Sequence, residues 1–89
     1  MARISKKAIK ELNERYDVHG IPEWIIDKKC SNLAAIGVSY ALAGEEKTYI
    51  AFERETEKAL LCVWECEPLL ADSPSNGEFW VPKSVLASN

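Results

Sequence analysis

The clearest indication of the architecture of this chain is the segment Lys58-Ala-Leu-Leu-Cys-Val-Trp-Glu-Cys-Glu67. Consecutive side chains of a β-strand point to opposite faces, so a period of two is typical of a strand. Here apolar side chains stand on both faces, namely Ala59, Leu61 and Val63 on one and Leu60, Cys62 and Trp64 on the other. Strands of this kind lie in the centre of a sheet or carry a second layer on their back. The sequence therefore predicts a central strand over residues 58–67.

Two further strands are predicted, one before and one after this stretch. Residues 48–54 alternate in the same way and are rich in residues that favour strands. Residues 78–81 form a short last strand, and one helical turn follows over residues 82–86. The Ser-Pro-Ser-Asn-Gly run before that strand predicts a loop over residues 68–77.

The chain before residue 30 is predicted to be helical. A first helix begins at Ser5, whose hydroxyl can cap the free amides of the first turn, and ends near Tyr16. Apolar residues recur along it at helical spacing. A second, short helix begins at Pro22, a residue favoured in the first turn, and ends near Lys29.

Residues 33–42 fit two structures. Apolar residues alternate with small or polar ones at Ile36, Val38, Tyr40 and Leu42, as in a strand. The stretch is also rich in alanine and stands between Ser31 and Gly44, as a helix would. We predict a strand, with a helix as the competing interpretation.

Together these elements predict one α+β domain over residues 1–89, with a helical part (residues 1–30) and a β-rich part (residues 33–86). The helices pack on an antiparallel sheet of three or four strands, which either stays open or curls into a small SH3-like barrel. No uncharged stretch reaches the roughly 18–20 apolar residues of a membrane helix, and the N-terminus lacks the apolar core of a signal peptide. We therefore expect a cytoplasmic protein without membrane contact.

The chemistry of the side chains argues against metal sites and cofactors. Three cysteines, an odd number, fit free thiols better than a disulfide framework. His19, Cys30, Cys62 and Cys66 would supply four zinc ligands, but Cys62 and Cys66 lie about 13 Å apart along a strand. We predict no metal and no cofactor, with a zinc-stabilised domain as an alternative. Because so short a chain buries a modest core, a homodimer would add stability.

The charge disfavours nucleic acid as a partner of the whole chain. Eleven basic and fourteen acidic residues give a net charge of −3, whereas neutralisation of phosphates supplies most of the affinity for nucleic acid. The exception is the basic start of the first helix, where Arg3, Lys6, Lys7 and Lys10 precede any acidic residue. A small nucleic-acid-associated domain that uses these four residues is the alternative function.

Catalytic constellations are not evident in the sequence. It contains no Gly-rich phosphate loop and no dinucleotide-binding pattern. Glu53, Glu55 and Glu57 would share one face of a strand as an acidic ridge. Acid–base catalysis instead needs two carboxyl groups in different environments within a pocket. We therefore predict that the protein is not an enzyme.

Two segments, Glu55-Thr-Glu-Lys-Ala-Leu-Leu61 and Gly77-Glu-Phe-Trp-Val-Pro-Lys-Ser-Val85, stand on either side of the predicted loop. They resemble a pattern of small uncharacterised phage and prophage proteins, in which a strand opening Glu-Thr-Glu-Lys-Ala leads to a strand ending Trp-hydrophobic-Pro-Lys-Ser. The resemblance implies a small β-domain in a phage context. The last strand and turn also resemble the end of SH3-like small barrels.

Phe79 and Trp80 are adjacent in a predicted strand, so they point to opposite faces and one of them is expected to be exposed. An exposed aromatic beside acidic residues is typical of a protein-binding hot spot. We therefore predict a protein-interaction surface that comprises Glu53, Glu55, Glu57, Phe79 and Trp80. The predicted function is a non-catalytic protein-interaction module, encoded by a phage or prophage, that inhibits a host protein as anti-defence proteins do.

Overall fold

The computed structural model of the protein describes residues 6–45, 47–67 and 75–86. The helices in these residues are α1 (Lys6–Arg15), α2 (Glu23–Lys29), α3 (Asn32–Leu42) and α4 (Lys83–Leu86), with a short 3-10 helix over Val18–Gly20. The strands are β1 (Thr48–Glu55), β2 (Ala59–Cys66) and β3 (Ser75–Pro82).

The strands form one antiparallel sheet in the order β1-β2-β3. β2 therefore lies in the centre, as its two apolar faces predict. Helices pack on this sheet, which confirms the predicted α+β fold. β1 and β3 are the two edges, so the described residues form an open sheet and not a closed SH3-like barrel.

The first two predicted helices and the final helical turn are confirmed, with small differences at their ends. The predicted cap of α1, Ser5, lies outside the described residues. Pro22 precedes α2 as its N-cap instead of being its first residue. β3 begins earlier than predicted, at Ser75, and the rest of the predicted loop, residues 68–74, lies outside the described residues.

The strand predicted over residues 33–42 is wrong, because this stretch forms α3. The hydroxyl of Ser31 caps the helix by accepting a hydrogen bond from the backbone N–H three residues on, at 3.4 Å. Residues that alternate in sequence do not share a face here: Val38 is buried, whereas Ile36 and Tyr40 on either side of it are exposed. The β-rich part of the chain therefore begins at β1 and not at residue 33.

The helices cover one face of the sheet, and Trp64 of β2 shows how closely they fit. α1 packs on β1, and α3 contacts all three strands. The indole ring of Trp64 is only 2 % exposed and contacts Gly37 of α3 and Gly77 of β3. A Cβ atom at Gly37 would stand 2.5 Å from ring atom Cζ3, and one at Gly77 would stand 3.0 Å from Cζ2. Both glycines therefore make room for this ring.

Candidate functional site

The sheet has a second face that the described helices do not cover. Residues paired across antiparallel strands point to the same face, and the core that the helices share with β2 contains Leu60, Cys62 and Trp64 but not Leu61 or Val63. We call the side of Leu61 and Val63 the open face. Its residues, read from the pairing, are Tyr49, Ala51 and Arg54 of β1, Ala59, Leu61, Val63 and Glu65 of β2, and Asn76, Glu78, Trp80 and Pro82 of β3.

The open face has an apolar centre with an aromatic residue on each side. Leu61 lies between its two cross-strand partners, Arg54 and Trp80, and is only 8 % exposed although no described helix covers it. The Trp80 side chain on β3 is 43 % exposed, and that of Tyr49 on β1 is 44 % exposed. The two edge strands therefore present half-exposed rings on the open face.

Carboxylates surround these rings. Glu65 is the cross-strand partner of Tyr49, and Glu78 precedes Trp80 by two residues on the same face. Partial burial raises the pKa of the Tyr49 hydroxyl, and the nearby carboxylates of Glu53 and Glu65 raise it further. Among the described residues of the open face, Arg54 is the one cation beside these carboxylates. The rim of this face is therefore acidic.

The structure separates the two aromatic residues that the sequence predicts for the interaction surface. Phe79 and Trp80 do point to opposite faces, as expected. Phe79 lies in the core beneath the helices, whereas Trp80 is exposed on the open face. Trp80 is thus the member of the pair that a partner can reach.

The predicted acidic ridge does not form, because β1 contains a bulge at Glu53 where its register against β2 shifts by one residue. A bulge reverses the alternation of faces beyond it. Glu55 consequently pairs with Leu60, on the face that the helices cover. Glu57 lies in the bend that follows β1. The three carboxylates therefore occupy three different environments: Glu55 on the covered face, Glu57 in the bend, and Glu53 in the bulge near Tyr49, so that we group Glu53 with the open face.

Glu55 is engaged within the fold. One oxygen, Oε1, accepts a hydrogen bond from Arg15 Nη2 at 2.7 Å, and the other, Oε2, accepts one from Lys83 Nζ at 2.7 Å. Both cations also lie over the ring of Tyr16, at 5.5 and 5.8 Å from its centroid. The hydrogen bonds from Lys83 and Arg15 hold the pKa of Glu55 below its usual range. This cluster ties α1, β1 and α4 together.

The basic start of α1 borders a groove. Lys6, Lys7 and Lys10 are all exposed, and Arg3 lies outside the described residues. Lys6 and Lys10, one helical turn apart, line a groove of about 620 Å³ between α1, the 3-10 helix and β1, whereas Lys7 does not line it. The structure thus divides the predicted basic cluster between a groove and the outer surface of the helix.

Sequence reasoning missed an exposed apolar stripe on α3. Leu33, which is 81 % exposed, lies on one side of the helix with Ile36 and Tyr40, and α3 contains no charged residue. The strand prediction concealed this spacing of three and four residues. The uncharged sequence was the available signal, because the water-facing side of a helix normally carries charged residues. For the same reason, the stripe gives no charge signature of a partner.

The cysteines lie in or against the core, because Cys30 packs on the cluster that contains Cys62 and Cys66, whereas His19 is exposed in the 3-10 helix. Cys62 and Cys66 are buried on β2, which runs without a break between them. Burial raises the pKa of Cys62 to about 12, so this thiol stays protonated and unreactive. His19 Nδ1 lies 3.1 Å from Asp17 Oδ1. In the part of the chain that the structure describes, no group of three or more His, Cys, Asp or Glu residues could hold a metal ion.

In comparisons with protein-family models, with curated proteins and with solved structures, the chain finds no match. None of the described helices combines the length and the apolar character that crossing a bilayer requires. Function is therefore inferred from the residues and geometry of the chain itself.

Proposed function

We propose that the protein is a non-catalytic protein-interaction module that binds its partner through the open face. The observation that carries this proposal is the exposure of Trp80 and Tyr49 on either side of the apolar centre of β2. Large aromatic side chains supply much of the binding energy in protein interfaces. A partner that covers the two rings would remove their apolar surface from water together with that of Val63 between them.

The charges of the open face define the chemistry of the partner. Glu53, Glu65 and Glu78 surround the rings, against the one cation, Arg54, among the described residues there. The matching surface is a protein patch with an apolar side chain at its centre and Lys or Arg around it. Complementary rims steer association and exclude wrong partners, whereas the phosphates of a nucleic acid would be repelled by these carboxylates.

More specifically, we propose that the protein is a cytoplasmic inhibitor, encoded by a phage or prophage, that occupies a surface of a host protein. Its support is the resemblance carried by residues 55–61 and 77–85. Trp80 belongs to the second of these segments, so the resemblance and the open face share this residue. Covering a partner's surface inhibits it without any chemical step.

The experiment compares two tryptophan variants in capture from host lysate. Trp80→Ser removes the ring of the open face, and Trp24→Ser removes a ring on α2 that is 56 % exposed. We expect wild type and Trp24→Ser to retain the same protein and Trp80→Ser to lose it. With that protein purified, the dissociation constant should rise at least about tenfold for Trp80→Ser. Glu78→Lys should weaken binding mainly at low salt, because rim charges are screened.

Equal retention of the partner by Trp80→Ser and wild type would contradict the open face as the binding surface. A retained species that nuclease removes, and that is lost when Lys6, Lys7 and Lys10 become Glu, would instead favour the nucleic-acid alternative.

A further inference from the structure

Part of the outer edge of β1 is covered by a side chain that imitates a neighbouring strand. Oδ1 of Asn13, on α1, accepts a hydrogen bond from the Phe52 N–H at 2.9 Å, and its Nδ2 donates to the Phe52 carbonyl at 2.9 Å. The same Nδ2 donates to the carbonyl of Ile9 at 2.7 Å, which holds the amide in place. A strand added at this edge would make the same pair of bonds with Phe52.

Ile50 offers an equivalent pair of groups two residues earlier. In an antiparallel strand the N–H and C=O groups of residues two apart point to the same edge, so those of Ile50 face outward like those of Phe52. Thr48, two residues before Ile50, donates its N–H to the carbonyl of Glu45 at 3.2 Å. Among the described residues, the outward groups of Ile50 have no backbone or side-chain partner, although the positions on both sides do.

The groove beside α1 lies over this position. Its floor is formed by Tyr49, Ile50 and Ala51, and its walls come from α1 and the 3-10 helix. The walls contribute apolar Ile9 and Val18, basic Lys6, Lys10 and His19, and acidic Asp17. Its volume of about 620 Å³ falls within the range of about 300–1,000 Å³ that is usual for ligand sites.

We propose that this groove binds an extended acidic segment of a partner protein, which adds to the edge of β1 and hydrogen-bonds to Ile50. Strand addition at an unpaired sheet edge is an established way to recognise peptides, with side-chain pockets that give specificity. An apolar side chain of the segment contacts Ile9 and Val18, and a neighbouring Glu or Asp meets Lys6 and Lys10. The site is separate from the open face and adds a second binding surface to the proposed function.

The probe is a peptide of sequence Glu-Val-Thr-Val-Glu with fluorescein on its N-terminal amine and an amidated C-terminus, titrated against the full chain. We expect saturable binding by fluorescence anisotropy and a shift of the Ile50 amide in NMR spectra. N-methylation of the backbone amides on the peptide edge that faces β1 should weaken binding at least about tenfold. N-methylation of the amides on the opposite edge should leave binding unchanged. The analogue Lys-Val-Thr-Val-Lys should bind at least about tenfold more weakly, because its ammonium groups meet Lys6 and Lys10.

Two charge reversals on α1 provide the matched control. Lys10→Glu should weaken peptide binding at least about tenfold, while Lys7→Glu, outside the groove, should leave it within about twofold. Trp80→Ser should leave it unchanged, so this test and that of the open face fail independently. The proposal is overturned if the peptide shows no saturable binding up to about 1 mM, or if Lys7→Glu and Lys10→Glu weaken its binding equally. It is also overturned if a single-stranded oligonucleotide displaces the labelled peptide at a lower concentration than the unlabelled peptide does.

Discussion

The two faces of the sheet are built from the same three strands and differ in what completes them. Trp64 on the covered face is 2 % exposed and contacts Gly37 and Gly77, which leave room for its ring. Trp80 on the open face is 43 % exposed and has Leu61 beside it. The covered face is thus completed within the chain, whereas the open face has surface left for another molecule.

Charge follows the same division. The buried residues among those described include no polar or charged side chain, and Glu55, at the margin of the covered face, is neutralised by Arg15 and Lys83. On the open face the carboxylates of Glu53 and Glu78 make no salt bridge with a described residue. The covered face thus supplies the core of the fold, and the proposed binding specificity would reside on the open face.

The largest effect should separate Phe79 from Trp80, two neighbours on opposite faces. Phe79→Ala should lower the free energy of unfolding by about 3–5 kcal/mol, because it leaves a cavity in the core. Trp80→Ala should lower it by only about 1–2 kcal/mol, because about half of its ring is already in water. Urea unfolding of both variants measures the difference. If side-chain size alone determined the loss of unfolding free energy, Trp80→Ala would lose more than Phe79→Ala. That result would contradict the proposed difference between the faces.

The next effect concerns the glycines beside Trp64. Gly37→Ala gains about 1 kcal/mol of helix propensity, but its Cβ would stand 2.5 Å from the ring, and overpacking of this kind costs about 1–3 kcal/mol or more. We expect a net loss, larger than for Gly77→Ala at 3.0 Å.

A double-mutant cycle tests this cause. Replacing Trp64 by Leu should itself destabilise the protein, and it should also remove most of the cost of Gly37→Ala, since the two residues touch. Additive losses in the cycle would show that the ring does not cause the strain at Gly37.

A smaller effect is expected from the thiols. Burial raises the pKa of Cys62 to about 12, against 9.0 for a free thiol, and Cys30 adds to the rise. The unfolded state then releases its proton first, so the stability from the protonated thiol is present below about pH 9 and is lost as the pH rises towards 12. Cys62→Ala, less stable overall, should show a shallower decline of stability between pH 8 and pH 10 in urea unfolding, because it lacks the buried thiol.

Thiol labelling provides an independent measurement of the same burial. Cys30 is partly exposed, whereas Cys62 and Cys66 are buried. Cys30 should react first with a disulfide reagent, and the other two only as the chain unfolds. Rapid labelling of Cys62 in the native protein would contradict its place on the covered face.

Much of the fold could be predicted because its signals are local. The alternation along β2 indicates its central place within ten residues of sequence. The stretch that forms α3 was ambiguous, because Ile36, Val38 and Tyr40 fit a period of two, and only packing against the sheet shows that Val38 alone of them is buried. The bulge at Glu53 likewise depends on pairing with β2, and it moves Glu55 to the other face.

The candidate surfaces were predictable only in part. The sequence requires Phe79 and Trp80 to face opposite ways, but which of them is exposed depends on the side that the helices cover. The groove depends on contacts between residues distant in sequence, because Asn13, which lines it, hydrogen-bonds to Phe52, 39 positions away. No periodic pattern reports such a contact, since periodicity describes one element at a time.

The smallest effect compares the same substitution on the two faces, Glu55→Gln and Glu53→Gln. Hydrogen bonds from Lys83 and Arg15 lower the pKa of Glu55 from its ordinary value of 4.5. The stability it contributes is therefore present above that value and lost as the pH falls through the lowered pKa. Glu55→Gln should be slightly less stable than wild type at pH 7, since exposed ion pairs contribute little, and the difference should shrink as the pH falls below 4.5. Glu53→Gln, which breaks no salt bridge with a described residue, should match wild type in thermal unfolding at pH 7. A larger loss for Glu53→Gln than for Glu55→Gln would place the stabilising carboxylate on the open face and reverse the comparison.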